Sequence, residues 1–94
     1  MSDVQTTDNP EQQRYEARVD GDLAGFAAYQ LDGDRVVFTH TEVDDAYEGQ
    51  GVGSALARSA LDDVRASGRS AVPRCRFIRG WIDKHPDYAD LVAA

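Results

Sequence analysis

The spacing of polar and apolar positions changes period along this chain, and each period predicts a different element. From Arg14 to Asp20, Tyr15, Ala17 and Val19 alternate with polar residues, as in a strand with one buried face. Asp20-Gly21-Asp22 predicts a tight turn into a second strand, Leu23 to Leu31. Asp32-Gly33-Asp34 turns again into Arg35 to Val43, where Val36, Val37, Phe38, Thr39 and Thr41 make the most β-prone segment. The period then lengthens. Gly53, Leu56, Ala57, Ala60, Leu61 and Val64 fall on one face of a helix, and Gly68 suits its end. Ser70 to Phe77 reads as a fourth strand, with Pro73 confining it at its start or edge. Phe77, Ile78, Trp81 and Ile82 suit a second helix broken before Pro86, and Tyr88, Leu91 and Val92 suit one last helical turn.

The order β-β-β-α-β-α is that of an α/β (α+β) chain: an antiparallel meander joined to a parallel β-α-β unit. The third and fourth strands should be parallel neighbours. The loop before the first helix then lies at the carboxyl end of a strand, where open α/β sheets bind ligands. Residues 1–13 are almost without apolar side chains and predict a disordered lead, leaving 14–94 as one domain. That lead has neither the basic start nor the apolar stretch of a signal peptide, and no apolar run approaches the roughly 20 residues of a membrane span. Cys75 is the single cysteine, so no internal disulfide forms and a reducing cytoplasm suits the chain.

The net charge of −7 argues against a nucleic-acid partner, since that binding rests on Lys and Arg neutralising phosphates. The charge is uneven, however. Residues 1–64 hold 14 acids and 4 bases, whereas residues 65–84 hold 6 bases and only Asp83. Such a basic segment can either receive a small polyanion or merely face solvent.

Residues 47–56, Tyr-Glu-Gly-Gln-Gly-Val-Gly-Ser-Ala-Leu, carry the chemical signal. Gly49, Gly51 and Gly53 uncover backbone N–H groups just ahead of a helix N-terminus, whose own N–H groups are unpaired and partly positive. That makes a cradle for phosphate or pyrophosphate. It is not a P-loop: counting back from Gly53, position 48 is Glu, position 54 is Ser, and no lysine follows. Nor is it a dinucleotide fingerprint, because three antiparallel strands precede it.

The stretch resembles the acyl-CoA-binding loop of the GNAT-type N-acetyltransferases, Arg/Gln-x-x-Gly-x-Gly/Ala, read here as Glu48-Gly49-Gln50-Gly51-Val52-Gly53 and followed by Ser54-Ala55-Leu56. Strands, loop and helices from about Tyr15 to Val92 come in the order of that minimal GNAT-like fold. The tail, Pro73-x-Cys75-x-Phe77-Ile78 and Lys84-His85-Pro86-x-Tyr88, is similar to the family's short single-domain branch. The resemblance implies acetyl-CoA as co-substrate with no metal, held by Val43, Glu48, Gly49, Gln50, Gly51, Val52, Gly53 and Ser54. It implies a small-molecule or protein amine as acceptor, and a monomer or weak homodimer without membrane or nucleic-acid partner. Two departures stand out. Glu48 puts a negative charge where Arg or Gln is usual, and Asp20 to Asp22 leaves no room for the helices that form much of the acceptor wall in longer members.

Amine acetylation sets three demands. A lysine-like amine must lose a proton held about three pH units above neutrality, at a cost of roughly 4 kcal/mol. The thioester oxygen needs a donor as it gains charge, worth about 2.7–4 kcal/mol, and the resemblance points to the Val43 N–H. The departing thiolate takes a proton, for which Tyr88 is the candidate beside a packing role. Period two puts His40 and Glu42 on one strand face. Because histidine as a residue type titrates near neutrality, His40 is the better base, unless it is a partly buried strand histidine satisfied by a neighbour; Glu42 either acts through water or faces solvent. Cys75 is either a small buried hydrophobe or, between Arg74 and Arg76 near a helix start, a thiol that the resemblance places close to the acyl group and that could relay it. The alternative to an enzyme is a non-catalytic acyl-CoA-binding or regulatory module.

Overall fold

The computed structural model describes residues 3–93. Five strands and two helices form one sheet with one core: β1 Val4–Asn9, β2 Arg14–Val19, β3 Asp22–Asp32, β4 Arg35–Val43, α1 Val52–Ala66, β5 Ser70–Pro73 and α2 Arg76–Lys84. Short 3-10 turns follow β4 at Asp45–Tyr47 and α2 at Pro86–Leu91. The strands lie in sequence order, antiparallel from β1 to β4, and β5 joins β4 in parallel, as the β-α-β pattern requires.

α1 lies across all five strands. Its apolar stripe (Val52, Leu56, Ala57, Ala60, Leu61 and Val64) is buried, on the residues the helical period marks from Leu56 onward, with Val52 rather than the half-buried Gly53 at its start. Each of Leu56 and Leu61 contributes about 1.5–3 kcal/mol by that burial. Facing them are Tyr15, Ala17, Ala27, Val36 and Phe38, and α2 adds Ile78, Trp81 and Ile82. Among the described residues, no helix is long and apolar enough to cross a membrane.

Three expectations need correction. Val4–Asn9 is a strand, not part of a disordered lead, and pairs with β2 from Val4↔Val19 to Asn9↔Arg14; Met1 and Ser2 lie outside the described residues. No apolar period announces β1 because polar side chains anchor it: Thr6 Oγ1 donates to Ser59 Oγ on α1 at 2.8 Å, and Asp8 accepts from the Tyr29 hydroxyl at 2.7 Å. The fourth predicted strand stops at Pro73 rather than Phe77, because proline ends the ladder and the chain turns into α2. The last turn does not bury Val92, which is 38% exposed; Val92 instead bridges in parallel to Ala71, and the Ala93 N–H donates to the Ala71 carbonyl at 2.8 Å. That contact covers part of the outer edge of β5.

On the sheet face away from α1, Glu16 is buried although charged. Arg14 Nε meets it at 2.8 Å, Arg18 Nη2 at 3.3 Å and Asn9 Nδ2 at 3.3 Å, while the Arg14 guanidinium lies 4.9 Å from the Phe26 ring centre. The Arg14 hydrogen bond above all holds the Glu16 carboxyl below its usual range. A depressed carboxyl stabilises the fold fully above its unfolded pKa, near 4.3, and loses that contribution as pH falls through the lower folded value. Glu16→Gln should therefore cost about 1–2 kcal/mol at pH 7. The gap from the parent protein should close below about pH 4 in thermal melts across pH. A gap independent of pH would assign the loss to shape rather than charge.

Candidate active site

β4 and β5 run together only as far as Phe38↔Pro73, and the Cys75 N–H closes the seam by donating to the Phe38 carbonyl at 2.8 Å. Beyond this point β4 continues to Val43 while the other chain turns away as α2. A wedge opens between them. At its narrow end Thr41 Oγ1 and Cys75 Sγ are 3.1 Å apart, and Cys75, buried, is the N-cap residue of α2.

One residue in β4 decides which side chains face the wedge. Tyr29 pairs with Phe38 but Ala28 pairs with His40, so Thr39 is an extra residue, a β-bulge. Before it, Val36 and Phe38 face the core; after it, Thr41 and Val43 take that side, leaving His40 and Glu42 on the other. Hydrogen-bond direction follows the same logic. The Asp44 N–H donates to the Ala24 carbonyl at 2.8 Å, making 44/24 a hydrogen-bonded pair. The adjacent pair Gly25↔Val43 is then the non-bonded kind, with the Val43 N–H pointing away from β3 toward the wedge.

The glycine loop sits at the wide end. Gly49 and Gly51 adopt φ of 80° and 77°, the left-handed region that glycine enters at no steric cost. Gly51 is the N-cap of α1, with no side-chain cap and no acidic residue in the first turn. The first helical bond inward is the Ala55 N–H to the Gly51 carbonyl at 2.9 Å, so the N–H groups of Val52, Gly53 and Ser54 end the helix facing outward. The Ser54 hydroxyl accepts from Trp81 Nε1 at 2.8 Å and so ties α1 to α2. Glu48 and Gln50 are exposed on the rim, and Val52 is buried beneath it.

The predicted side chains thus fall into two groups. Cys75 and the Val43 N–H share the wedge with Thr41, which the bulge at Thr39 brings to that side and which carried no chemical signal of its own in the sequence. His40 and Glu42 lie on the opposite face of β4, with Nε2 and Oε1 3.4 Å apart and about 60% of each side chain exposed. Phe26, 6.1 Å from the His40 ring, lies between them and the Arg14 network. Tyr88 joins neither group. Its hydroxyl donates to Asp62 at 2.7 Å and lies 3.5 Å from Arg58 Nη1. The hydrogen bond to Asp62, more than its desolvation, holds the phenol proton above the usual tyrosine range. Asp62 is about 16 Å along α1 from Gly51, and the Tyr88 ring meets Trp81 edge-on with centroids 5.1 Å apart.

A groove of about 590 Å³ opens beside the end of β4, with Leu23 and Phe26 as apolar walls and Glu42, Asp44 and Asp45 among its polar lining. Among the described residues, no three His, Cys, Asp or Glu side chains gather closely enough to hold a metal ion.

A mixed sheet splayed between parallel strands, with a glycine loop leading into the crossing helix, defines the GNAT fold. The solved structures bear this out. A GCN5-like putative N-acetyltransferase from Staphylococcus aureus matches with a TM-score of 0.74 at 21% identity, covering 100% of this chain and 92% of its own. The ribosomal-protein-S18-alanine N-acetyltransferase of Escherichia coli matches at 0.60 and 19% identity, over 74% and 63%. The family model for GCN5-related N-acetyl-transferases matches residues 14–91, and the chain belongs to that family. Protein NATD1 from Homo sapiens and from Gallus gallus are each 39% identical to it over 59 residues, which is 62% of this chain. The chain spans about half the length of these curated relatives, 52% and 54% respectively.

Proposed function

We propose that this protein transfers an acetyl group from acetyl-CoA to an amine by direct attack. The observation that carries the reading is the continuity from the uncapped first turn of α1 to the wedge, with the Val43 N–H directed into the wedge and Cys75 at its narrow end. The pyrophosphate would rest on the N–H groups of Val52, Gly53 and Ser54, and the pantetheine arm would lie along Thr41 and Val43. Acetyl-CoA supplies the activated acyl group. The Val43 N–H would donate to the thioester oxygen as charge develops there.

The acceptor approaches from the face that carries His40 and Glu42. Glu42 Oε1, 3.4 Å from His40 Nε2, orients the ring; His40 takes the ammonium proton and the free amine attacks the carbonyl. A C–N bond forms, the C–S bond breaks, and coenzyme A departs as thiolate before gaining a proton. The carboxylates of the groove suit a cationic amine such as a lysine side chain or a polyamine. The second reading, an acyl-CoA-binding module without catalysis, is favoured by the short link of residues 10–13 between the first two strands, β1 and β2. That link, rather than Asp20–Gly21 between β2 and β3, is where the acceptor-wall helices would have to be inserted.

Calorimetric titration with acetyl-CoA and desulfo-CoA tests both readings together; absence of binding at physiological concentrations sinks them. Transfer to an amine panel then separates them. His40→Gln should lower kcat/KM by about 10²–10⁴-fold near neutral pH with little change in acetyl-CoA affinity. Cys75→Ala should keep most of the activity, whereas a stable acetyl adduct on the intact protein, lost in Cys75→Ala, would replace direct attack with a covalent relay.

A further inference from the structure

We propose that the exposed ring of Phe77 forms the α2-side wall of the acyl-CoA path, and that residue 53 is glycine because this ring rests on it. The proposal rests on the coenzyme A reading above and adds a residue to it that composition and period assign to the core.

Phe77 is the second residue of α2, two past Cys75. The apolar residues that follow it, Ile78, Trp81 and Ile82, are buried, while Phe77 stays 43% exposed. Its ring nonetheless makes a close contact. A Cβ added at Gly53 would lie 2.6 Å from Phe77 Cζ and 3.2 and 3.3 Å from its two Cε atoms, so the tip of the ring sits on the α-carbon of Gly53. Gly49 and Gly51 differ: a Cβ there would meet nothing within 4 Å, and their positive φ accounts for them. Gly53 has ordinary helical dihedrals and is kept bare by its neighbour.

This contact places the ring between the first turn of α1 and the first turn of α2, the two helix starts that flank the wedge. A pyrophosphate held at Val52, Gly53 and Ser54, with its arm directed toward Thr41 and Cys75, must pass beside that ring. The pantetheine arm carries a geminal dimethyl group next to its amides, and covering an exposed phenyl with those methyls removes apolar surface of both from water. A ring held in place before the ligand arrives also needs no ordering on binding. A methyl at residue 53 would push the ring into the path. The usual allowance for alanine at this position of the loop is therefore withdrawn in this chain by Phe77.

The test is a double-mutant cycle on the full chain, read by calorimetry with acetyl-CoA and with 3′-phospho-ADP, which keeps the pyrophosphate and lacks the arm. Phe77→Ala should weaken acetyl-CoA binding about tenfold and leave 3′-phospho-ADP within about twofold. Gly53→Ala should weaken acetyl-CoA binding in the parent protein and do little in the Phe77→Ala background. Phe77→Leu, which keeps apolar bulk and endangers the fold least, should fall between the parent and Phe77→Ala. Equal losses for both ligands, no loss for acetyl-CoA, or a Gly53→Ala effect of the same size in both backgrounds would each overturn the proposal. So would self-association of the parent protein that Phe77→Ala abolishes, since the ring would then be covered by a second copy. If the parent binds neither ligand, the coenzyme A reading fails and the channel role with it. Thermal melts of the same four proteins still show whether the methyl and the ring collide.

Discussion

Gly25→Ala is expected to lower stability by about 1–3 kcal/mol and to weaken acetyl-CoA binding together with it, and Gly25→Val should leave little folded protein. Gly25 is opposite Val43 in the β3–β4 ladder. A Cβ there would lie 2.6 Å from the Glu42 carbonyl oxygen, 3.2 Å from Val43 Cα and 3.2 Å from Val52 Cγ1. The first two are backbone atoms, which cannot rotate away as a long side chain can. The methyl must therefore part β3 from β4 or lift the start of α1 off the sheet. Either movement displaces the Val43 N–H relative to the Val52 N–H, the two donors that bracket the pantetheine arm in the proposed reaction. Thermal melts and calorimetry on the same samples decide it. Parent-like stability in Gly25→Ala would mean the strands have slack, and parent-like affinity at reduced stability would detach the site from this close approach.

Phe38→Ala should cost about 3–5 kcal/mol, the scale of losing a fully enclosed ring. A chain of this length holds only about 5–14 kcal/mol in total. Phe38 is 0% exposed and stands where β4 and β5 part, with its carbonyl receiving the Cys75 N–H. Removing the ring thus empties the centre of the core and loosens the hydrogen bond that closes the wedge. Urea unfolding should show a lowered midpoint, with Phe38→Leu recovering much of the loss. A change below 1 kcal/mol would contradict the ring's central position.

What could be read from the chain alone followed from side-chain periodicity. Tyr15, Ala17 and Val19 marked β2 and the stripe from Leu56 to Val64 marked α1, because in both the buried face alternates at the element's own period. The glycine loop was legible because uncovered N–H groups need small residues. β1 was not, since Thr6 and Asp8 hold it through hydroxyl and carboxylate contacts that look like surface polarity in a sequence. Thr41 escaped notice for a related reason: its contact with Cys75 spans 34 residues and belongs to no motif. Tyr88 carried two readings, an acid for the thiolate and a packing residue, and neither could foretell the hydrogen bond its hydroxyl donates to Asp62, on the solvent side of the α1 period.

Thr39 acts as a change of phase in β4, which has a consequence for comparing this chain with others. Up to Phe38 the even-numbered residues are inside; past the extra residue the odd-numbered ones are. A relative that lacks one residue here would run in unbroken register, with Phe38, His40 and Thr41 still opposite Tyr29, Ala28 and Ala27, so the letters keep their faces and only the parity of their numbers changes. Alignments should therefore be anchored separately on the two halves of the strand, with any gap placed at Thr39, before a histidine in a relative is equated with His40. Deleting Thr39 from this chain should straighten the strand and leave His40 and Glu42 on the face they occupy now.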